Sequence, residues 1–173
     1  MQDFTEILQR ATAAIAPQYF RLPVHGADPI YRERVYCYEL YHQMRALWPG
    51  DCPWFLNGEV DKQQHPYFQD GRYPKPDFVV HVPGTGDNYA AIEVKPMFPT
   101  AGKIRKDVET LLRFRDVGYG RALYLIYGSD PEAARKRVAR TVGNEEQLAA
   151  IELWVHQEVG APAVNVPLLL PAV

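Results

Sequence analysis

Residues 76–95 read PDFVVHVPGTGDNYAAIEVK, and this stretch determines how the chain is expected to fold. Two runs typical of β-strands, 78–82 and 89–94, flank a loop of Pro, Gly, Thr, Asp and Asn residues, which favour turns. The pattern predicts an antiparallel hairpin. If the hairpin closes symmetrically about its loop, Asp77 lies opposite residue 93 or 94.

Charged residues stand at the open end of this predicted hairpin. Side chains alternate along a strand, so Glu93 and Lys95 share one face while Val94 points the other way. With Asp77 opposite, two carboxylates and one ammonium are expected to converge. Because apolar residues 90–92 precede Glu93 and Lys95, these two charges lie on a half-buried strand. Burying charge costs free energy, so a functional role is expected for the pair. An exposed hairpin with an ordinary salt bridge is the structural alternative.

The expected grouping suits the hydrolysis of a phosphodiester. Mg²⁺ prefers carboxylate oxygens, usually takes one or two of them and keeps several waters, which leaves positions for a phosphate oxygen and an attacking water. Lys95 can orient or deprotonate that water, or offset the charge that develops on the phosphate. The sequence therefore predicts a Mg²⁺ site in which Mn²⁺ can substitute.

These residues also carry a resemblance to a known family. Pro76-Asp77, followed by Glu93-Val94-Lys95, resembles the signature of the PD-(D/E)XK nuclease superfamily, the restriction-endonuclease-like fold, and in particular its small bacterial and phage-borne members. The segments that carry the resemblance are 32–45, 57–62, 75–81, 88–95 and 106–112, within residues 30–128. It implies an α/β fold whose central mixed sheet of four or five strands is flanked by helices. It also implies that Asp77 and Glu93 hold the metal and that Lys95 is catalytic.

A third carboxylate is expected from the helix predicted over residues 30–48. Its apolar stripe comprises Tyr36, Cys37, Leu40, Tyr41, Met44, Leu47 and Trp48. On a helical wheel Glu33 falls within this stripe, where an acid needs a partner or a cation. The resemblance places Glu33 at the acidic position that supports the metal centre, so Glu33 is expected to complete or support the metal shell. Glu39 and Glu59 remain alternatives, and a role at the helix N-terminus or in a surface ion pair is the structural explanation for Glu33.

The other predicted elements fit one domain over residues 1–173, with a helical extension (1–29), a core (30–128) and C-terminal elements with a tail (129–173). They are helices over 3–16, 103–115 and 131–142, strands over 55–60 and 121–127, and a strand or short helix over 151–155. A parallel crossover is expected to place strand 121–127 beside the site strand. The basic face of helix 103–115 is either a phosphate-backbone contact or a solvated surface. Tyr31, Tyr36, Tyr38 and Tyr41 suggest base stacking, yet four tyrosines on one helix are more economically core and interface residues.

Composition narrows the functional class. The formal net charge is −2, so nucleic-acid binding requires a local basic patch. Cys37 and Cys52 lack the spacing of zinc ligands, and with no signal-peptide pattern the expected location is cytoplasmic. The apolar tail 164–173 is interrupted by prolines and is too short to span a bilayer, so no membrane association is expected.

The sequence thus predicts a Mg²⁺-dependent nuclease with DNA as the expected substrate and Asp77, Glu93, Lys95 and Glu33 as its catalytic residues. A catalytically inactive nucleic-acid-binding or assembly module and an RNA-directed nuclease are the alternatives. An inactive module has no chemical need for Lys95 beside two acids. A symmetric homodimer would suit duplex cutting, but the sequence leaves open the oligomeric state, the specificity and the biological role.

Overall fold

A computed structural model of the chain describes residues 4–60 and 73–169. The helices are α1 (Phe4–Ala13), α2 (Pro17–Phe20), α3 (Glu33–Ala46), α4 (Ala101–Asp116), α5 (Pro131–Val142) and α6 (Glu145–Ala149). The strands are β1 (Leu22–Val24), β2 (Ala27–Ile30), β3 (Phe55–Gly58), β4 (Phe78–His81), β5 (Asn88–Pro96), β6 (Arg121–Tyr127), β7 (Glu152–His156) and β8 (Val164–Val166). Asp3 and the predicted positions 61 and 62 lie outside the described residues.

Within the described residues, six strands form one mixed sheet in the order β3-β4-β5-β6-β7-β8. The central pairs β5–β6 and β6–β7 are parallel, and the outer pairs are antiparallel. The predicted α/β class and the parallel partner of the site strand are therefore confirmed. The predicted number of four or five strands is wrong, because residues 164–166 of the apolar tail pair with β7 as an additional edge strand.

The hairpin that carries the predicted site forms as expected. Phe78 pairs with Ile92 and Val79 with Ala91, so the next step in the register places Asp77 opposite Glu93. The side chain of Asp77 accepts a hydrogen bond from the backbone N–H of Val94, with 2.7 Å between N and Oδ2. The hairpin thus fixes one carboxylate directly against the other strand.

Each face of the sheet is covered by helices. Ile92 and Val94 belong to a buried cluster with residues of α1 and α3, whereas Ala91 belongs to a second cluster with α4 and α5. Because side chains alternate along β5, Glu93 and Lys95 lie on the face that α4 covers. In the part of the chain that is described, no helix is long and apolar enough to cross a membrane.

Some element boundaries differ from the sequence prediction. The helix predicted over 30–48 begins at Glu33, because Ala27–Ile30 pairs with Leu22–Val24 in a separate hairpin. The strand predicted over 55–60 ends at Gly58, and Glu59 follows it with a left-handed φ of 47°. The predictions for 121–127 and 131–142 are confirmed, and residues 152–156 form a strand rather than a helix.

Candidate active site

The ammonium of Lys95 lies at the centre of a group of carboxylates near the end of β5. Its side chain is only 10 % exposed, and Nζ donates hydrogen bonds to Glu33 Oε1 at 3.1 Å and to the carbonyl oxygen of Val94 at 2.9 Å. Three further carboxylate oxygens lie within 4 Å of Nζ: those of Asp77 at 3.9 Å, Glu93 at 3.8 Å and Asp107 at 3.7 Å. Lys95 and these four acids are called the Lys95 cluster below.

Three elements and the residue before a fourth supply the Lys95 cluster. Asp77 immediately precedes β4, Glu93 and Lys95 project from β5, Glu33 is the first residue of α3, and Asp107 lies in the second turn of α4. The structure therefore brings together all four residues that the sequence singled out. One expectation is corrected: the Glu33 side chain is 36 % exposed rather than buried, because it stands at the start of its helix.

The two alternative acids have other partners. Glu39 accepts a hydrogen bond from Gln43 within α3, at 2.7 Å. Glu59 pairs with Lys75 at 3.0 Å and with Arg34 at 3.5 Å, and its side chain is 42 % exposed. Among the three acids considered for the third carboxylate, Glu33, Glu39 and Glu59, Glu33 is thus the one that contacts Lys95.

Asp107 is a member of the cluster that the sequence did not predict. It is 5 % exposed, and Oδ2 accepts a hydrogen bond from the hydroxyl of Tyr124 on β6 at 3.4 Å. A signal was present in the sequence, because Asp107 follows Ile104 by three positions and precedes Leu111 by four. That spacing places its carboxylate on the apolar face of α4.

Burial raises the pKa values of Asp77, Glu93 and Asp107. Burial, reinforced by the negative charges of Asp77 and Asp107, raises the pKa of Glu93 to about 9. Burial also raises the pKa of Asp107 to about 6, although the Lys95 charge opposes that shift. For Asp77, burial raises the pKa while the charge of Lys95 and the N–H of Val94 partly offset it. Without metal, Glu93 therefore holds a proton at neutral pH.

The charge of Lys95 is maintained by its neighbours. Burial opposes an ammonium, but the carboxylates of Asp77, Asp107, Glu33 and Glu93 outweigh it and raise the pKa of Lys95 well above its usual value. An amine that stays protonated is a hydrogen-bond donor and not a base. Of the roles expected from the sequence, orientation of a water and stabilisation of negative charge fit this environment.

The cluster carries more negative than positive groups. Four carboxylates and one ammonium leave a formal charge of −3 if all are ionised, and such an excess in a buried place requires protons or a further cation. Carboxylate oxygens are the donors that Mg²⁺ prefers, so the residues fit this ion chemically. Within residues 4–60 and 73–169, no three Asp, Glu, His or Cys side chains have the arrangement of a metal-binding group, and Lys95 lies between the acids. Side chains must therefore adjust for a metal to bind.

Two clefts lie near the ends of the central strands. One, of about 550 Å³, shares Glu33 and Asp77 with the Lys95 cluster and continues past Tyr38 and Tyr41. The other, of about 500 Å³, lies between the segment after β5 and helix α5. It is lined in part by Phe98, Lys136, Arg137 and Arg140. The first cleft thus contains two of the acids and is partly aromatic, whereas the second, called the basic cleft below, is lined by cations and contains no member of the Lys95 cluster.

No protein-family model matches the sequence, and no curated protein matches it. The features that bear on function are therefore those of the molecule itself. The Lys95 cluster is the principal one, because it concentrates buried charge beside open clefts, and strongly perturbed groups in a cleft are typical of functional sites.

Proposed function

We propose that the protein is a Mg²⁺-dependent nuclease that hydrolyses phosphodiester bonds in DNA and has a PD-(D/E)XK-type core. The observation that carries the proposal is the buried ammonium of Lys95 with four carboxylates within 4 Å. A structural ion pair requires one acid for one base. Four acids from separate parts of the chain, beside an open cleft, supply the oxygen donors that a divalent cation prefers, once their side chains adjust to it.

Asp77 and Glu93 would hold the ion, and Glu33 would complete or support its shell. When bound, Mg²⁺ polarises a phosphate oxygen and lowers the pKa of a coordinated water. The hydrogen bond from Val94 N–H to Asp77 Oδ2 fixes the orientation of one ligand in advance. Glu93 must release its proton to act as a ligand, so metal affinity is expected to increase with pH.

Lys95 would act directly on the substrate. Its ammonium can position the nucleophilic water and donate to a phosphate oxygen that gains negative charge in the transition state. Glu33 and the carbonyl oxygen of Val94 accept its hydrogen bonds, and Asp107 lies 3.7 Å from Nζ. These acceptors hold the ammonium in one orientation and leave it able to donate a further hydrogen bond.

Helix α5 supports a nucleic acid as the substrate. Along the helix stand Arg135, Lys136, Arg137 and Arg140, and the acid Glu132 makes a bidentate pair with Arg135. Lys136, Arg137 and Arg140 all line the basic cleft. In a chain of net charge −2, this local surplus supplies the basic patch that phosphate-backbone binding requires.

The proposal is tested by cleavage of labelled single-stranded, duplex and branched DNA, with RNA as a comparison substrate. Wild type, Lys95→Ala and the control Glu39→Gln are assayed in Mg²⁺, in Mn²⁺ and in EDTA. Wild type and Glu39→Gln are expected to cut DNA only with metal, and Lys95→Ala is expected to be at least about 100-fold slower. Failure of folded wild-type protein to cut any substrate with either metal would contradict the proposal. Cleavage of RNA alone would correct the substrate.

A further inference from the structure

Tyr38 differs from the other tyrosines near the start of α3. Tyr36 is fully buried, whereas Tyr38 is 63 % exposed. Core packing therefore accounts for Tyr36 but not for Tyr38. Tyr38 lines the same cleft as Glu33 and Asp77, so this exposed aromatic side chain belongs to the immediate surroundings of the Lys95 cluster.

Two further aromatic residues, Tyr41 and Phe78, line the cleft beside Tyr38. The rings of Tyr41 and Phe78 lie nearly parallel, with an interplanar angle of 15° and centroids 6.3 Å apart. The hydroxyl of Tyr41 donates to the carbonyl oxygen of Leu56 at 3.4 Å, which helps to hold that ring in place. The cleft volume of about 550 Å³ is within the range of small-ligand pockets. It is large enough for one planar heterocycle.

The chemistry of the cleft favours a base over a phosphate. Its three carboxylates, Glu33, Glu59 and Asp77, outnumber its one cation, Arg34, which pairs with Glu59 at 3.5 Å. This net negative charge disfavours a phosphate, whereas the exposed ring of Tyr38 and the partly exposed ring of Tyr41 offer stacking surfaces. Every nucleobase has a face that stacks on an aromatic side chain. Because Glu33 and Asp77 belong both to the cleft and to the Lys95 cluster, a base in the cleft and a phosphate at the cluster would be close neighbours along one strand.

We propose that this cleft binds an unpaired nucleobase next to the scissile phosphate, with Tyr38 stacking on it. The proposal rests on the proposed nuclease function and specifies its substrate class: single-stranded DNA, or the unpaired nucleotide of a flap or branch. A base within a duplex is paired and stacked, and it would have to be extruded before it could enter the cleft. Fully paired DNA is therefore a poor substrate.

An abasic scan tests the proposal. Single-stranded oligonucleotides with one abasic position, moved stepwise past the cut, are cleaved under single-turnover conditions with Mg²⁺. Wild type is expected to slow at least 10-fold when the abasic position reaches one fixed distance from the cut. Tyr38→Ala is expected to cut the complete strand at least 10-fold more slowly and to be insensitive to that abasic position. Tyr38→Phe should behave as wild type, and so should Tyr19→Ala, which removes an exposed tyrosine from α2.

Two results would overturn the proposal: undiminished abasic sensitivity in Tyr38→Ala, or equal rates on single-stranded and fully paired DNA. A binding measurement tests the base-binding cleft independently of the proposed nuclease activity. If wild type cuts nothing, its effect on the fluorescence of a single-stranded oligonucleotide containing 2-aminopurine is compared with that of Tyr38→Ala. If wild type quenches the fluorescence and Tyr38→Ala does not, the base site is supported even though the nuclease proposal has failed. Equal quenching by both proteins contradicts the base site.

Discussion

The side chain of Lys95 lies among the acids because of its place in the alternation of β5. Glu93 and Lys95 point to the α4 face, while Val94 between them is buried with α1 and α3. A shift of one residue in the β4–β5 register would move each of these three side chains to the opposite face of the sheet. The hydrogen bond from Val94 N–H to Asp77 opposes that shift. Val94 therefore separates Glu93 from Lys95 along the strand and also holds the carboxylate of Asp77 in place.

Asp107 is expected to position Lys95 rather than to bind substrate. Asp107→Asn keeps the size of the side chain but removes the charge that faces Nζ at 3.7 Å. We expect kcat to fall about 10- to 100-fold while KM changes little, as is common when a residue behind a catalytic group is altered. Steady-state cleavage kinetics measure both constants. Asp116→Asn, at the exposed end of the same helix, is the control and should leave both constants unchanged; a larger effect on KM than on kcat would refute the positioning role.

Glu93 should make the stability of the metal-free protein depend on pH. Burial and neighbouring acids raise its pKa from an ordinary value of 4.5 to about 9. The folded protein therefore keeps a proton that the unfolded chain loses, so the free energy of unfolding decreases as pH rises from about 5 toward 9. Glu93→Gln removes this loss.

We expect Glu93→Gln to be more stable than wild type at pH 8 in EDTA by roughly 1 kcal/mol or more, since one pKa unit corresponds to about 1.4 kcal/mol. The difference should shrink toward pH 5. Urea unfolding of both proteins at several pH values measures it, with Glu39→Gln as the matched control on α3. A variant whose stability relative to wild type is independent of pH would show that Glu93 does not carry a raised pKa.

At the scale of elements, the sequence predicted the parts of the site that depend on local geometry. Alternation along β5 was sufficient for Glu93 and Lys95, and turn chemistry placed Asp77 opposite them. The inward position of Asp107 also follows from helical spacing, but its contact with Lys95 depends on how α4 packs on the sheet. Likewise, the three residues of β8 are too few for a period-two pattern, and only their pairing with β7 makes them a strand.

The turn from β6 to α5 requires Gly128. Its φ is +80°, and a Cβ there would lie 2.6 Å from a ring carbon of Tyr31. Gly128→Ala is therefore expected to lower the free energy of unfolding by about 2–3 kcal/mol, from backbone strain and the steric clash together. Gly26→Ala is the control, because its φ of +74° is similar but no atom lies within 4 Å of the added Cβ. Urea unfolding should show the larger loss for Gly128→Ala, and equal losses would mean that Tyr31 moves aside without cost.

At the scale of the whole molecule, negative and positive charges are concentrated in separate places. The Lys95 cluster is acidic, and the cleft beside α5 is basic. Since the chain as a whole has a net charge of −2, attraction of a nucleic acid has to be local. In the proposed function, this separation would let the basic cleft bind the backbone while the acids hold a metal at the scissile phosphate.

The double variant Lys136→Gln/Arg140→Gln tests this division of charge. Both side chains line the basic cleft, and we expect weaker DNA binding with a slope of log K against log salt that is shallower by about 1 for each lost phosphate contact. Fluorescence anisotropy in EDTA at several salt concentrations measures the slope without cleavage. Arg10→Gln/Arg45→Gln removes the same charge from exposed positions on α1 and α3 and serves as the control. Identical slopes for the two double variants would leave the basic cleft without a role in binding.

The proposed metal site is tested most sharply by a crystal structure of the protein grown with Mn²⁺, with an anomalous difference map recorded at the manganese edge. We predict a peak ligated by the carboxylates of Asp77 and Glu93, with Glu33 or a water that it binds nearby. Absence of a peak at these carboxylates at saturating Mn²⁺, with the Lys95 ammonium still surrounded by all four acids, would contradict the proposed metal-dependent nuclease.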